Sequence, residues 1–544
     1  MPALSVVPPQ PDPWSELLDR RDVVLDRGIL HLVHDTVTPE QARIEDLLLV
    51  ASALEDAGIE VTLIRQDRAV PALVVDVAAR DAAFAALGAL CDREPLYIKA
   101  KRRPSVLANA ALIPGAEPSV VRAYRPRVSV NGSLRYGAAL GARIEFWRQH
   151  GDVLEAPNDN ALTRRLVPRA DLTFTTVERY GRTWRTVSGM FDPQPHEFTE
   201  DVDMVFSWVD GSSTEFQRQR AARMAEYVVG EGDDSPARYR HVDELRYALR
   251  SVHMYAPWVR RIFIATDSPA PAWLADHPKV TIVRSEEFFG DPSVLPTHNS
   301  HAVEAQLHRI PGLAEHFLYS NDDMFFGRLI EPELFFTPGG VTKFVECEVR
   351  IGAGEPALHR SGHDNGLRVN RALLRERFGR TIVRDLEHCA APLRKSVMAE
   401  LEEAFPEDFA RTAASRFRSA SDISVTNSLY HYYALMTGRA VATHRPRVRY
   451  VQTTLSASLR RLERLAERTD IDMFCLNDGG EVEVPEAIRV EAMRTALERM
   501  FPVRAPWERA DPAETGSAAQ VSGSERSARS AHPSARGRRP RARR

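Results

Sequence analysis

Cysteine is scarce in this chain. Cys91, Cys347, Cys389 and Cys475 are the only four among 544 residues. They stand far apart with no C-x-x-C spacing, so neither a zinc cage nor a disulfide framework is indicated, and reduced core thiols are expected. Long apolar runs are missing too. No stretch of about 18 apolar residues occurs, and the opening "MPALSVVPPQPDPWSELLDRRDVV" has no apolar signal segment, which argues against membrane spanning and secretion and makes the cytoplasm the expected location. Neither sign of charge dominates: 72 Lys and Arg against 75 Asp and Glu leave a formal net charge of -3, so nucleic acid is not an expected partner.

What is present is core material. Hydrophobic residues make up 43% and charged residues 27% of the chain, the balance of a globular protein, and its length exceeds what one core organises. In residues 1–195, "TPEQARIEDLLLVASALEDAGIEVTLIR" reads as a helix followed by a strand. "ALVVDVAA", "PLYIKA", "RPRVSVNG" and "ARIEFWRQ" add further strands, so an α/β accessory domain is expected there. Residues 196–345 and 346–510 form two halves of a second unit, the latter helix-rich from about Gly366 to Met436 and expected to close over the site. Residues 511–544 are Ser-, Ala- and Arg-rich and read as a disordered tail, either solubilising or making peripheral contact with an anionic membrane surface.

The central region concentrates the polar chemistry. "DVDMVFSWVDGSS" is a buried strand that ends at Asp210, where a carboxylate serves either as a turn former or as part of the ligand-binding edge of an open α/β sheet. "HVDELRYALRSVHMYAPW" places Val242, Leu245, Leu249 and Val252 on one helical face and Arg246, Arg250 and His253 on the other. "VRRIFIATD" ends at Asp267. A helix is expected over "SHAVEAQLHRI", capped by Asn299 or Ser300, and its His301, Glu304 and His308 share a face that is more simply a polar surface than a zinc site. The strand "HFLYS" then delivers Asn321, Asp322 and Asp323. Adjacent carboxylates cost stability unless a cation, donors or solvent meet them, and hard oxygen ligands at such an edge suit Mg²⁺ or Mn²⁺ holding a diphosphate. Further on, "HRSGHDNGLRVNRALL" opens a helix with His363, Asp364, Asn365, Arg368 and Asn370, a polar cluster that could bind donor or acceptor.

The blocks "DMVFSWVDGS", "DELRYALRSVHMYAPWVRRIFIATD", "LPTHNSHAVEAQLHRIPGLAEHFLYSNDDMFFG", "MAELEEAFPEDFARTAASRFRS" and "DMFCLNDG" resemble, in order, the conserved blocks of the Stealth family of sugar-phosphate transferases. That family includes bacterial capsular and exopolysaccharide phosphotransferases and is similar to the catalytic part of the eukaryotic N-acetylglucosamine-1-phosphotransferase. The resemblance spans about Asp201 to Gly480. It implies transfer of a hexose-1-phosphate from a nucleotide-sugar donor to a hydroxyl of a glycan acceptor, with release of a nucleoside monophosphate. By the same resemblance His388 is the expected catalytic base and Arg418 the phosphate-binding arginine. Asp322 and Asp323 are expected as catalytic metal ligands, and Asp210, Arg250, Asn321, His363, Asp364, Arg368, Asn477 and Asp478 as substrate-binding residues. Where the family often has Tyr-Thr before Trp-Val-Asp-Gly, this chain has Phe206-Ser207.

The expected fold is α/β: a nucleotide-sugar-binding mixed sheet, Rossmann-like or GT-A-like, with the N-terminal accessory domain and a helical insertion. Composition and spacing leave two other readings open. One is an ordinary glycosyltransferase that releases a nucleoside diphosphate. The other is a non-catalytic glycan-binding protein, against which the joint presence of base, arginine and carboxylates speaks.

Overall fold

A computed structural model of the chain describes residues 15–66, 70–110, 118–211, 242–478 and 482–509. The basic tail expected over 511–544 and the Gly479-Gly480 pair lie outside the described residues. No described helix is long and apolar enough to cross a membrane.

The N-terminal part has its own apolar clusters. The helix expected from the first periodic stretch forms at Pro39–Asp56, with Thr38 and Gln41 closing a reciprocal cap at its start. It packs with the helix Arg80–Ala89 on a mixed sheet in which Ala142–His150 pairs parallel to Pro71–Asp76 and antiparallel to Val120–Tyr124. This part meets the second unit through the Ser133 hydroxyl, which donates to the Arg499 carbonyl at 2.7 Å, and the Arg504 amide, which donates to the Asp35 carbonyl at 3.1 Å.

The second unit is built on a five-stranded sheet in the order Val280–Val283, Ile262–Ala265, Val202–Ser207, His316–Asn321, Ala391–Arg394. The first four strands are parallel and the last is antiparallel. Strand Val202–Ser207 is central and nearly all buried, which is why its sequence is a continuous apolar run rather than an alternation. Its one buried charge, Asp203, accepts the fork of Arg260 at 2.9 and 2.6 Å and the backbone amides of Arg261 and Ala314. Counting the parallel strands by chain position, the order is third, second, first, fourth. The direction of winding therefore reverses between Val202–Ser207 and His316–Asn321, and such a reversal opens a crevice at the carboxyl ends of the two strands.

Both faces of the sheet are covered. Helix Glu244–Tyr255 lays the predicted Leu245, Leu249 and Val252 against Met204, Phe206 and Ile264, and Val242, which precedes the helix, joins the same cluster. On the opposite face Val205, Phe263, Phe317 and Tyr319 meet Leu367, Leu374, Ile423 and Tyr430 from the helix-rich part. The helix expected over "SHAVEAQLHRI" is shorter than its periodicity suggests: Asn299 caps a helix of only Ser300–Glu304, and a single tight turn follows at Leu307–Arg309. A further small sheet joins Met324–Phe326, Met473–Asn477 and Val448–Gln452.

Candidate active site

The register of the central sheet sets the floor of the site. Ser207 stands opposite Asn321 on one side and Ala265 on the other, so the segments leading to Asp210, Asp267 and Asn321-Asp322-Asp323 leave the sheet at one edge. Asp267 has a local duty there: its carboxylate accepts the amide of Ser285 at 2.8 Å. The Asp210 amide donates to the Ser268 hydroxyl at 2.9 Å. Asp322 and Asp323 are half-buried at the turn into Met324–Phe326.

A buried hydrogen-bond network runs beneath that turn. The hydroxyls of Ser207 and Tyr319 are 2.7 Å apart, and Tyr319 also donates to the Asn321 side-chain oxygen at 2.9 Å and to Glu304 at 3.3 Å. Ser207 thus supplies a hydroxyl at a position where the family often has threonine. Glu304 is 1% exposed and accepts a second bond, at 2.7 Å, from Thr426. Burial raises the Glu304 carboxyl above its ordinary pKa, while Thr426 and the positive charge of Arg418 pull the other way. Thr426 belongs to a π-helical turn, Val425–Leu429, an irregularity found frequently at functional sites. Sequence reasoning weighed Glu304 only as a remote zinc ligand. Its fully buried position, the signal of its importance, comes from tertiary packing.

Arg418 donates to the Ser300 hydroxyl at 2.8 Å and lies against the start of the helix Gly362–Phe378. Glycine is required at that start, since a Cβ on Gly362 would fall 2.7 Å from the Arg418 side chain. One residue further on, His363 bonds Asp385 at 2.8 Å, and its ring centroid is 5.7 Å from that of His388. Burial works against a charge on His363, but the hydrogen bond and charge of Asp385 outweigh it and leave its pKa above the usual value. For His388, burial together with the neighbouring His363 lowers the pKa to about 4, so the imidazole is neutral at physiological pH.

His363, Asp385 and His388 each offer one ligand atom, all within 4.8 Å of one another. Two imidazoles and a carboxylate form a donor set compatible with a divalent cation. Asp385 was missed in the sequence, where it stands three positions before His388 with nothing local to mark it. The strand-end carboxylates and the histidine loop also come together. The Cys475 thiol donates to Asp323 at 3.5 Å, and burial, then Asp323, Cys389 and Asp322, push its pKa well above the usual value.

Several expected site residues are engaged elsewhere. Arg250 is packed on the other face of the sheet, where its fork meets Glu508 at 2.7 Å on both arms and donates to the Phe501 carbonyl at 3.0 Å. The Glu508 segment folds back over that face and engages the guanidinium that was expected to bind substrate. Arg368 is buried and bonds Asp364 at 2.6 Å one turn away, with a second arm on the Ala353 carbonyl. Asp478 is held by Thr453 and forms a buried ion pair with Arg489 at 3.1 Å, while Asn477 is half-buried beside it. Asn365 and Asn370 bond backbone carbonyls at Ala357 and Ser424. His301, Glu304 and His308 do not converge: His308 pairs with Glu402 at 2.8 Å, and the shortened helix breaks their common face.

Four stretches of the chain match the Stealth protein conserved regions: region 1 over residues 200–228, region 2 over 238–344, region 3 over 387–435 and region 4 over 463–517. The exopolysaccharide phosphotransferase CpsY of Mycobacterium tuberculosis is 53% identical over 90% of this chain and 92% of its own length. An exopolysaccharide phosphotransferase of Nocardia farcinica is 56% identical over 75% of this chain and 79% of its own length. Another, from Streptomyces coelicolor, is 37% identical over 89% of this chain and 85% of its own. The crystal structure of the galactosyltransferase LgtC aligns with 58% of this chain at 10% identity and a TM-score of 0.29, too distant to carry an argument. The chain belongs to the Stealth family of bacterial sugar-phosphate transferases.

Proposed function

We propose that this protein is an exopolysaccharide phosphotransferase. It moves a hexose-1-phosphate from a nucleotide sugar to a hydroxyl of an acceptor glycan, making a phosphodiester and releasing a nucleoside monophosphate. The observation that carries this reading is the convergence of His388, the Asp385–His363 pair and the Asp322-Asp323 turn at the edge where the sheet reverses its winding.

In this mechanism the donor diphosphate lies along the Asn321-to-Asp323 edge. The acceptor oxygen attacks the sugar-bearing phosphorus, the bond from that phosphorus to the bridging oxygen breaks, and the nucleoside monophosphate leaves in line. His388, neutral before the reaction, takes the proton of the attacking hydroxyl. Asp385 fixes His363 beside it, and the donor fork of Arg418 meets the charge on the transferring phosphoryl group. A divalent cation, Mg²⁺ or Mn²⁺, would supply positive charge to the diphosphate. Asp322 and Asp323 are its proposed ligands, hard carboxylate donors of the kind that suit either ion.

The test is to incubate the purified protein with a panel of nucleotide sugars, each cation in turn and short acceptor oligosaccharides, and to identify the released nucleotide chromatographically. Acceptor-dependent release of a monophosphate is expected. Release of a diphosphate would make the protein a glycosyltransferase instead.

A further inference from the structure

Aromatic rings around the site are packed away, with Tyr319, Tyr430 and Tyr432 all under 5% exposed, but Tyr450 is 43% exposed. It lies on the strand Val448–Gln452, and its ring centroid is 5.2 Å from that of His388, with the two planes tilted by 50°. In the register of the small sheet Tyr450 stands opposite Cys475, whose thiol donates to Asp323. Cross-strand partners project to the same face, so the ring borders both the histidine and the carboxylate turn. Two positions along on that face is Gln452, directly opposite Asn477, and both amides are half-exposed.

We propose that Tyr450 is the platform on which the acceptor sugar stacks, with Gln452 and Asn477 reading its hydroxyls. A pyranose ring offers a face of C–H groups to an aromatic ring and a rim of hydroxyls to planar amides, and this surface presents both partners side by side. The position separates acceptor from donor. In-line transfer puts the attacking hydroxyl and the departing nucleotide on opposite sides of phosphorus. A ring in contact with the proton acceptor therefore serves the attacking sugar and not the nucleotide. The inference rests on the phosphotransferase reading and on His388 as its base.

The experiment uses the full chain with the donor and acceptor oligosaccharide found active in the panel, and compares Tyr450→Ala, Tyr450→Phe and Tyr450→Trp. Three quantities are read: KM for acceptor, KM for donor, and acceptor-independent release of nucleoside monophosphate by hydrolysis. Tyr450→Ala is expected to raise the acceptor KM about 10- to 100-fold. Donor KM and acceptor-independent hydrolysis are expected to stay within about twofold, and Tyr450→Phe and Tyr450→Trp to keep the acceptor KM near that of the natural protein, since the ring face and not the hydroxyl carries the contact. An unchanged acceptor KM in Tyr450→Ala overturns the proposal, whether or not kcat falls. An equal rise in donor KM also overturns it and assigns the ring to the nucleotide. Failure of the phosphotransferase reading shows earlier and separately, as absence of monophosphate release by the unsubstituted protein.

Discussion

Replacing Glu304 by alanine should destabilise the second unit far more than replacing it by glutamine. The carboxyl is 1% exposed and accepts hydroxyl bonds from Thr426 at 2.7 Å and Tyr319 at 3.3 Å. Alanine leaves the Thr426 donor buried without its acceptor, a loss of about 1–3 kcal/mol. Tyr319 keeps Ser207 and Asn321 as partners, so its share is small. The emptied volume adds about 1–2 kcal/mol, giving a total of roughly 2–5 kcal/mol. At about 2–4 °C per kcal/mol for a large domain, the melting temperature should fall by roughly 4–20 °C. Glutamine keeps an acceptor oxygen in nearly the same place and removes a charge that burial disfavours, so its stability should change by no more than about 1 kcal/mol. Thermal unfolding followed by far-ultraviolet circular dichroism measures both variants. A Glu304→Ala protein that melts within about 2 °C of the natural one would refute the network as a structural support of the turn.

Asp322→Asn and Asp323→Asn should each lower turnover by roughly a hundredfold or more while the thermal transition stays nearly in place. Retained activity in both variants would remove these carboxylates from the site. Acid should weaken the fold through four histidines, His34, His253, His388 and His431, each lowered by burial to about 4. Their contribution is fully present above their ordinary value of 6.5 and is lost as pH falls from there towards 4, at about 1.4 kcal/mol per pH unit for each proton. Asp422, raised by burial to about 6, acts in the opposite sense and offsets about one of the four between pH 6 and 4. Through these groups unfolding near pH 5 should therefore take up close to three protons, and a melting temperature that is flat between pH 7 and 5 would contradict this.

The local grammar of the chain was sufficient for several of its elements, though not for the helix that stops at Glu304. The capped periodic stretch at Pro39–Asp56, the apolar face of Glu244–Tyr255 and the continuous hydrophobic run of Val202–Ser207 each follow from spacing, because helical and strand periodicities are properties of adjacent residues. So does the delivery of Asn321-Asp322-Asp323 at a strand end, and the long ordered blocks carried the family with them. Partner choice was beyond the sequence. Whether Arg250 faces solvent or Glu508, and whether Asp478 meets a ligand or Arg489, depends on segments distant along the chain that fold back over those side chains. The pairing of His363 with Asp385, the burial of Glu304 and the exposure of Tyr450 beside His388 have the same origin. Sequence spacing fixes which residues share a face of one element. Only the packing of one element on another decides which charges are desolvated together and which ring is left at the surface, because burial and pairing are sums over neighbours the chain brings together from afar.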